Sequence, residues 1–260
     1  MRYLRGFYMS LGMFCGIPLP FHIWDEKLTR IMIAAFPLVG AIIGGIWWGT
    51  GMLLMTINAP IVMSAAILTI MPFFVAGFIH LDGYMDTSDA YLSWRPLEDR
   101  IRILKDPLVG AFAVIMLCIL FLLQFAAMHT IADGGRFLAL IAAICVISRS
   151  CSALAIFTLK HMPESNYAAM LGKGAGTGYK IFIAIIGLGA IALSVIYAGL
   201  IGLLVALAVV VGYTLAMRVV YKVFKGVSGD LLGYALVIGE LCGLIALALL
   251  QAINVYGWRC

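Results

Sequence analysis

Apolar residues run through this chain in blocks too long for the core of a soluble domain, and polar residues collect in the gaps between them. Runs of about 18 or more apolar residues read as membrane-spanning helices. The blocks at 31–57, 61–79, 108–131 and 137–159 each predict one span. The block at 181–217 is too long for one helix and predicts two, with a tight turn near Gly199; the block at 231–255 predicts the last. Residues 1–30 have no such block. Their short apolar stretch is broken by Gly12, Gly16, Pro18 and Pro20, and no small-residue cleavage site follows. They are expected to lie at the interface, ahead of a single helical membrane domain over 31–260.

Composition agrees: 64% of the chain is hydrophobic and 11% charged, against about a quarter charged in soluble domains. The expected fold is all-α and polytopic, with about seven transmembrane helices. The positive charges supply its orientation. Arg2, Arg5, Lys27 and Arg30 precede the first span; Arg95, Arg100, Arg102 and Lys105 follow the second; Lys160, Lys173 and Lys180 follow the fourth; Arg218, Lys222 and Lys225 follow the sixth. The alternate connections contain only Arg136. By the positive-inside rule the N-terminus and the long loops are expected in the cytoplasm, as in a multi-pass protein of the cytoplasmic (inner) membrane. The net charge of +5 then reflects topology and implies no nucleic-acid partner. The six cysteines, at 15, 118, 145, 151, 242 and 260, have no CxxC spacing and read as small apolar packing residues.

Of the twelve acidic residues, all but Asp133 and Glu240 fall in or beside the cytoplasmic loops or the N-terminal segment. The densest group is His80-Leu81-Asp82-Gly83-Tyr84-Met85-Asp86-Thr87-Ser88-Asp89. Aspartates at i, i+4 and i+7 fall within roughly 60° of one another on a helix face. Like charges so placed cost a few tenths of a kcal/mol per pair in water, and an Asp at membrane depth costs about 2.5–3.5 kcal/mol. A divalent cation removes that penalty. Oxygen-only ligands suit Mg²⁺, Mn²⁺ or Ca²⁺, and Mg²⁺ characteristically bridges carboxylates to substrate phosphates. The opposing reading is that the aspartates face water, with Asp82 capping the helix. His80 by itself reads equally well as a packed neutral histidine.

Cations follow at once, in Asp99-Arg100-Ile101-Arg102-Ile103-Leu104-Lys105-Asp106. Beside an acidic cluster they make sense around a polyanionic ligand, because a phosphate bound to Mg²⁺ on one side commonly takes Arg or Lys on the other; a solvated positive-inside loop explains Arg102 as well. Gly172-Lys173-Gly174-Ala175-Gly176-Thr177-Gly178 is neither a Walker nor a Rossmann sequence, but glycines and Lys173 can receive an oxyanion. Asp230 opens the last span and could cap it. Glu240, inside that span, should point inward to a partner, for which Arg149 in the fourth span is the natural candidate unless it binds phosphate.

Taken together, these motifs resemble one known family. HLDGYMDTSDA resembles the HLDG-x-x-DT-x-DG signature of the cobalamin synthases (adenosylcobinamide-GDP ribazoletransferases). Ile17-Pro18-Leu19-Pro20, Phe36-Pro37-Leu38-Val39-Gly40, Lys105-Asp106-Pro107 with Gly110, Ser148-Arg149, Gly172-Lys173 and Gly229-Asp230-Leu231-Leu232-Gly233 with Glu240 resemble further motifs of that family, in order along the chain. Ala90, Met85 and Ser228 depart from its pattern, and the loop at 162–166 lacks the expected arginine, a difference that bears on lower-ligand recognition.

The resemblance implies a transferase that joins adenosylcobinamide-GDP to α-ribazole or its 5′-phosphate with release of GMP. Asp82, Asp86 and Asp89 would hold Mg²⁺ against the diphosphate, with Lys105 and Asp106 beside them, and Asp86 would take the hydroxyl proton. His80, Arg100, Arg149, Lys173, Asp230 and Glu240 would bind substrate. The partners so implied are the two substrates and the bilayer, with a homo-oligomer left open. A CDP-alcohol phosphotransferase of lipid synthesis also uses a membrane aspartate cluster, but its DG-x-x-AR is missing: Gly83 is followed by Tyr84-Met85-Asp86. An ion-coupled transporter would instead place its acids near mid-span.

Overall fold

The computed structural model describes residues 1–135, 137–163, 165 and 176–256. Among them the chain is all-α apart from one bridge pairing His161 with Val227. Helix α1 is Arg2–Phe14 and α2 is Thr29–Ala34, preceded by a short 3-10 turn at Glu26–Leu28. Then follow α3 (Phe36–Thr56), α4 (Ile61–Val75), α5 (Ile79–Leu92), α6 (Leu97–Leu104), α7 (Ala111–Gly134), α8 (Leu140–Thr158), α9 (Thr177–Ala198), α10 (Leu200–Phe224) and α11 (Gly229–Tyr256).

Six helices are long and apolar enough to cross a bilayer: α3, α7, α8, α9, α10 and α11. Gly199 makes the tight turn between α9 and α10 at φ +56°. The expected span at 61–79 is corrected. Helix α4 stops at Val75, the chain bends by 92°, and α5 begins at Ile79. The apolar run hid this break, because Gly77-Phe78 is as hydrophobic as its surroundings while Gly77 and Phe78 take φ values of +65° and +62°. Glycine adopts that conformation freely; for Phe78 it costs roughly 1–2 kcal/mol. We read α4 with its turn as the seventh crossing. The reading follows from α5, which is bent 92° away from α4 and bears three aspartates that would be costly at membrane depth. The expected first span also starts later, as α3, because Phe36-Pro37 begins a new helix with proline in its first turn.

The layers follow from burial. Helix α8 is 78% buried, whereas α9 is 22% and α7 28% buried. Helix α11 packs on α5, α7, α8 and α10, while α3 packs on α8 and α4 on α7. The N-terminal segment is more than an interfacial strip. Met9 and Phe14 are buried in the core, and the Gly16 N–H donates to Val75 O at 2.7 Å. Irregular backbone at membrane depth survives only where its carbonyls find partners, and here residues 15–16 supply one, since the Cys15 thiol also reaches Val75 O at 3.3 Å.

Candidate functional site

Helix α5 carries the acidic face. Phe78 is its N-cap and offers no side-chain hydrogen bond, so Asp82 sits in the first turn and is not the cap. Asp82 is exposed, and Asp86 and Asp89 are half-buried. The other face is held by packing: Tyr84 stacks on Tyr234 of α11 with ring centroids 5.5 Å apart, and its hydroxyl donates to Met116 O of α7 at 3.1 Å. Between these faces lies Gly83, against which α11 runs backbone to backbone. A Cβ there would stand 2.8 Å from Asp230 Cα. That close approach brings a fourth carboxylate, from the first turn of α11, beside the three on α5. Ser228 rather than Asp230 reaches the open helix end, its Oγ accepting from the Leu231 N–H at 3.4 Å.

The electrostatics bear out this grouping. Burial, then the charges of Asp82, Asp230 and Asp89, push the Asp86 carboxyl up to about 7. One residue thus feels all three neighbours. Asp89 leans the other way, onto the entrance of α7, where a Cβ on Gly110 would collide with its carboxylate. Among the described residues no three His, Cys, Asp or Glu side chains converge as a ready metal site. The donor chemistry still fits Mg²⁺, which takes one or two carboxylates and completes its shell with water and substrate phosphate.

A cavity of about 850 Å³ adjoins the cluster and shares Asp230 with it. Lys105 lines the cavity, as do Ser228, His80, Phe14 and Phe36. Lys105 is exposed. Burial, reinforced by Arg149, pushes the His80 imidazole down to about 3. The ring is therefore neutral, and its Nε2 has no hydrogen-bond partner. Met13 and Trp24 also line this space. Sequence reasoning passed over both, along with Phe14; their signal was the group of aromatics scattered among the Gly and Pro positions of the N-terminal segment.

Arg149 and Glu240 find each other. They form a buried ion pair, with the Ser148 hydroxyl donating to the same Glu240 oxygen at 2.8 Å and Arg149 donating to Cys145 O at 3.1 Å. Arg149 is 1% exposed and does not line the cavity, so both charges act inside the helix bundle. Arg100 lies over the Tyr91 ring at 6.0 Å and donates to Arg95 O at 2.7 Å, which leaves it at the edge of the loop. Asp106 accepts from the Leu108 N–H at 3.0 Å, shaping the turn into α7. Lys173 lies outside the described residues.

This chain matches the family described as Cobalamin-5-phosphate synthase over residues 6–248. It is 37% identical over 257 residues to the adenosylcobinamide-GDP ribazoletransferase of Clostridium botulinum (strain Alaska E43 / Type E3), covering 94% of this chain and 97% of the relative. It is 33% identical over 262 residues to the enzyme of that name from Lachnoclostridium phytofermentans, covering 99% and 98%. No solved structure matches. Across nearly its whole length, then, the chain belongs to the cobalamin-5-phosphate synthase family.

Proposed function

We propose that this protein joins adenosylcobinamide-GDP to α-ribazole or α-ribazole 5′-phosphate, releasing GMP, in a Mg²⁺-dependent reaction at the cytoplasmic membrane. The observation that carries the reading is the grouping of Asp82, Asp86, Asp89 and Asp230 around one helix contact, next to a cavity of about 850 Å³ edged by Lys105. The family and the names of its relatives support the substrates, and the charge of the long loops supports the cytoplasmic side.

A ribose hydroxyl of α-ribazole attacks the phosphorus nearer the corrinoid arm. The new P–O bond forms as the bond to the GMP oxygen breaks. The carboxylates of Asp82, Asp86 and Asp89 would hold Mg²⁺, which when bound supplies charge neutralisation at the diphosphate. One of these aspartates, Asp86, would take the hydroxyl proton as the general base. Lys105 supplies positive charge to the departing GMP. The transporter alternative gains nothing from Glu240, the acid inside a crossing helix, because Arg149 already neutralises it.

The test is direct. Purified protein receives both substrates, and GMP is followed with and without Mg²⁺. GMP should appear only with all three components present. A wild-type protein that forms none would sink the transferase reading, and turnover in the presence of excess chelator would remove the metal from it.

A further inference from the structure

We propose that residues 17–24 form a cover over the large cavity, and that Tyr8 is a positioning residue whose hydroxyl clasps this cover shut against water. The proposal rests on the transferase reading above.

The cover is a strap with two fixed ends. At one end the Gly16 N–H donates to Val75 O at 2.7 Å, and a Cβ on Gly16 would stand 2.9 Å from Gly77 Cα. At the other end the Asp25 carboxylate accepts from the Lys27 N–H at 2.9 Å and starts the 3-10 turn, in which Leu28 is buried. Between these ends the backbone is irregular. Pro18 and Pro20 stiffen it and bring no N–H with which to tie it down. Among the described residues, only Phe21 of the strap is hydrogen-bonded to anything outside it. The Phe21 N–H donates to Tyr8 Oη at 3.1 Å, and the Phe21 carbonyl accepts from the same hydroxyl at 2.9 Å. One side chain thus holds both polar groups of one backbone residue.

Packing adds little to that clasp. Ile17 is 42%, Phe21 72% and Trp24 56% exposed. A second cavity, of about 290 Å³, separates the strap from α1 and is lined by Tyr8, Gly12, Pro18 and Phe21. Segments with few buried apolar contacts open at the lowest cost. Met13 and Trp24 line this second cavity and also the large one, whose wall includes Lys105 and Asp230. Lifting the strap therefore takes Trp24 out of the large cavity's wall and lets water in beside the aspartates.

Water competes with the ribose hydroxyl, so excluding it protects the transfer. A water oxygen that attacks the same phosphorus forms a P–O bond there as the bond to the GMP oxygen breaks. The water gives up its proton to solvent, and the products are adenosylcobinamide phosphate and GMP, with nothing joined to α-ribazole. A closed cover suppresses that loss.

Tyr8→Phe removes the hydroxyl alone, and two measurements on the full chain in lipid nanodiscs follow the result. Chymotrypsin cleavage after Phe21 or Trp24, identified by fragment mass, reads the open fraction, because the protease cuts a strap that has come away. Its rate should rise about three- to tenfold in Tyr8→Phe, the population shift that one lost hydrogen bond produces. GMP release is then followed from adenosylcobinamide-GDP with α-ribazole left out. That release should be slow in the wild type and several-fold faster in Tyr8→Phe. The proposal is overturned if cleavage is unchanged, if release without α-ribazole is unchanged, or if release with and without α-ribazole falls by the same factor, as a merely structural role predicts. A wild type that forms no GMP from both substrates with Mg²⁺ would strike the transferase reading instead, and the cleavage rates test the clasp without turnover.

Discussion

Gly83 of α5 lies against the backbone of Asp230 in α11, so closely that a Cβ on the glycine would be 2.8 Å from Asp230 Cα. Neither backbone can yield as a flexible side chain could. Gly83→Ala must therefore part the two helices or strain them, at about 1–3 kcal/mol. The expected outcome is a folded protein with a lowered thermal midpoint and at least a tenfold loss of GMP release, since Asp230 retreats from Asp86. Wild-type turnover in Gly83→Ala would show that the helix contact does not set the site.

Asp89 depends on Gly110 in a similar way, its carboxylate filling the place of a side chain at that position. Gly110→Ala should swing the carboxylate aside at a modest cost in stability, because the group in the way is the movable end of a side chain and alanine is a poorer N-cap than glycine. A several-fold weaker Mg²⁺ requirement curve, read as the Mg²⁺ concentration giving half-maximal GMP release, is the expected result. An unshifted curve would take Asp89 out of cation binding.

Arg149 and Glu240 are predicted to matter for stability as a unit. Arg149→Leu leaves Glu240 buried and uncompensated, which should cost about 3–5 kcal/mol. Arg149→Leu combined with Glu240→Leu should recover most of that loss, because two leucines need no partner. Melting of the two single variants and the double variant in detergent forms a double-mutant cycle; strict additivity would refute the coupling.

For Asp86 the pH dependence has a definite sign. Its carboxyl rises from an ordinary 3.8 to about 7 in the folded protein, so the folded state binds the proton more tightly than the unfolded chain does. Its contribution to stability is complete below about 4 and is lost as pH rises through about 7. Metal-free Asp86→Asn should therefore melt higher than metal-free wild type at pH 8 and equally at low pH. Added Mg²⁺ should raise the wild-type midpoint at pH 8 more than that of Asp86→Asn. Equal midpoints for the two metal-free proteins at pH 8 would contradict the crowding of carboxylates around this residue.

The i, i+4, i+7 spacing of Asp82, Asp86 and Asp89 was legible along the chain because helical periodicity is a local property, and the helix at Ile79–Leu92 bears it out. The inward aim of Glu240 was legible because a lone carboxylate facing lipid is too costly. The bend at Gly77-Phe78 was not legible, since hydrophobicity reports partition into the bilayer and says nothing of φ. Phe14 and Trp24 were missed because aromatics in an N-terminal segment look like interfacial anchors until the segment is seen folded back.

By itself, the order of residues determined that this is a helical membrane protein of about seven crossings, with half of its acids gathered between the second and third. Partition of apolar runs and periodicity act over one helix at a time, and that is all they need. Only the tertiary structure decided that Asp230 joins the α5 aspartates, that Arg149 turns to Glu240 instead of the cavity, and that the N-terminal segment walls that cavity. Those outcomes depend on how closely two backbones can approach and on which buried charge lies nearest, distances that exist only once helices far apart in the chain have packed.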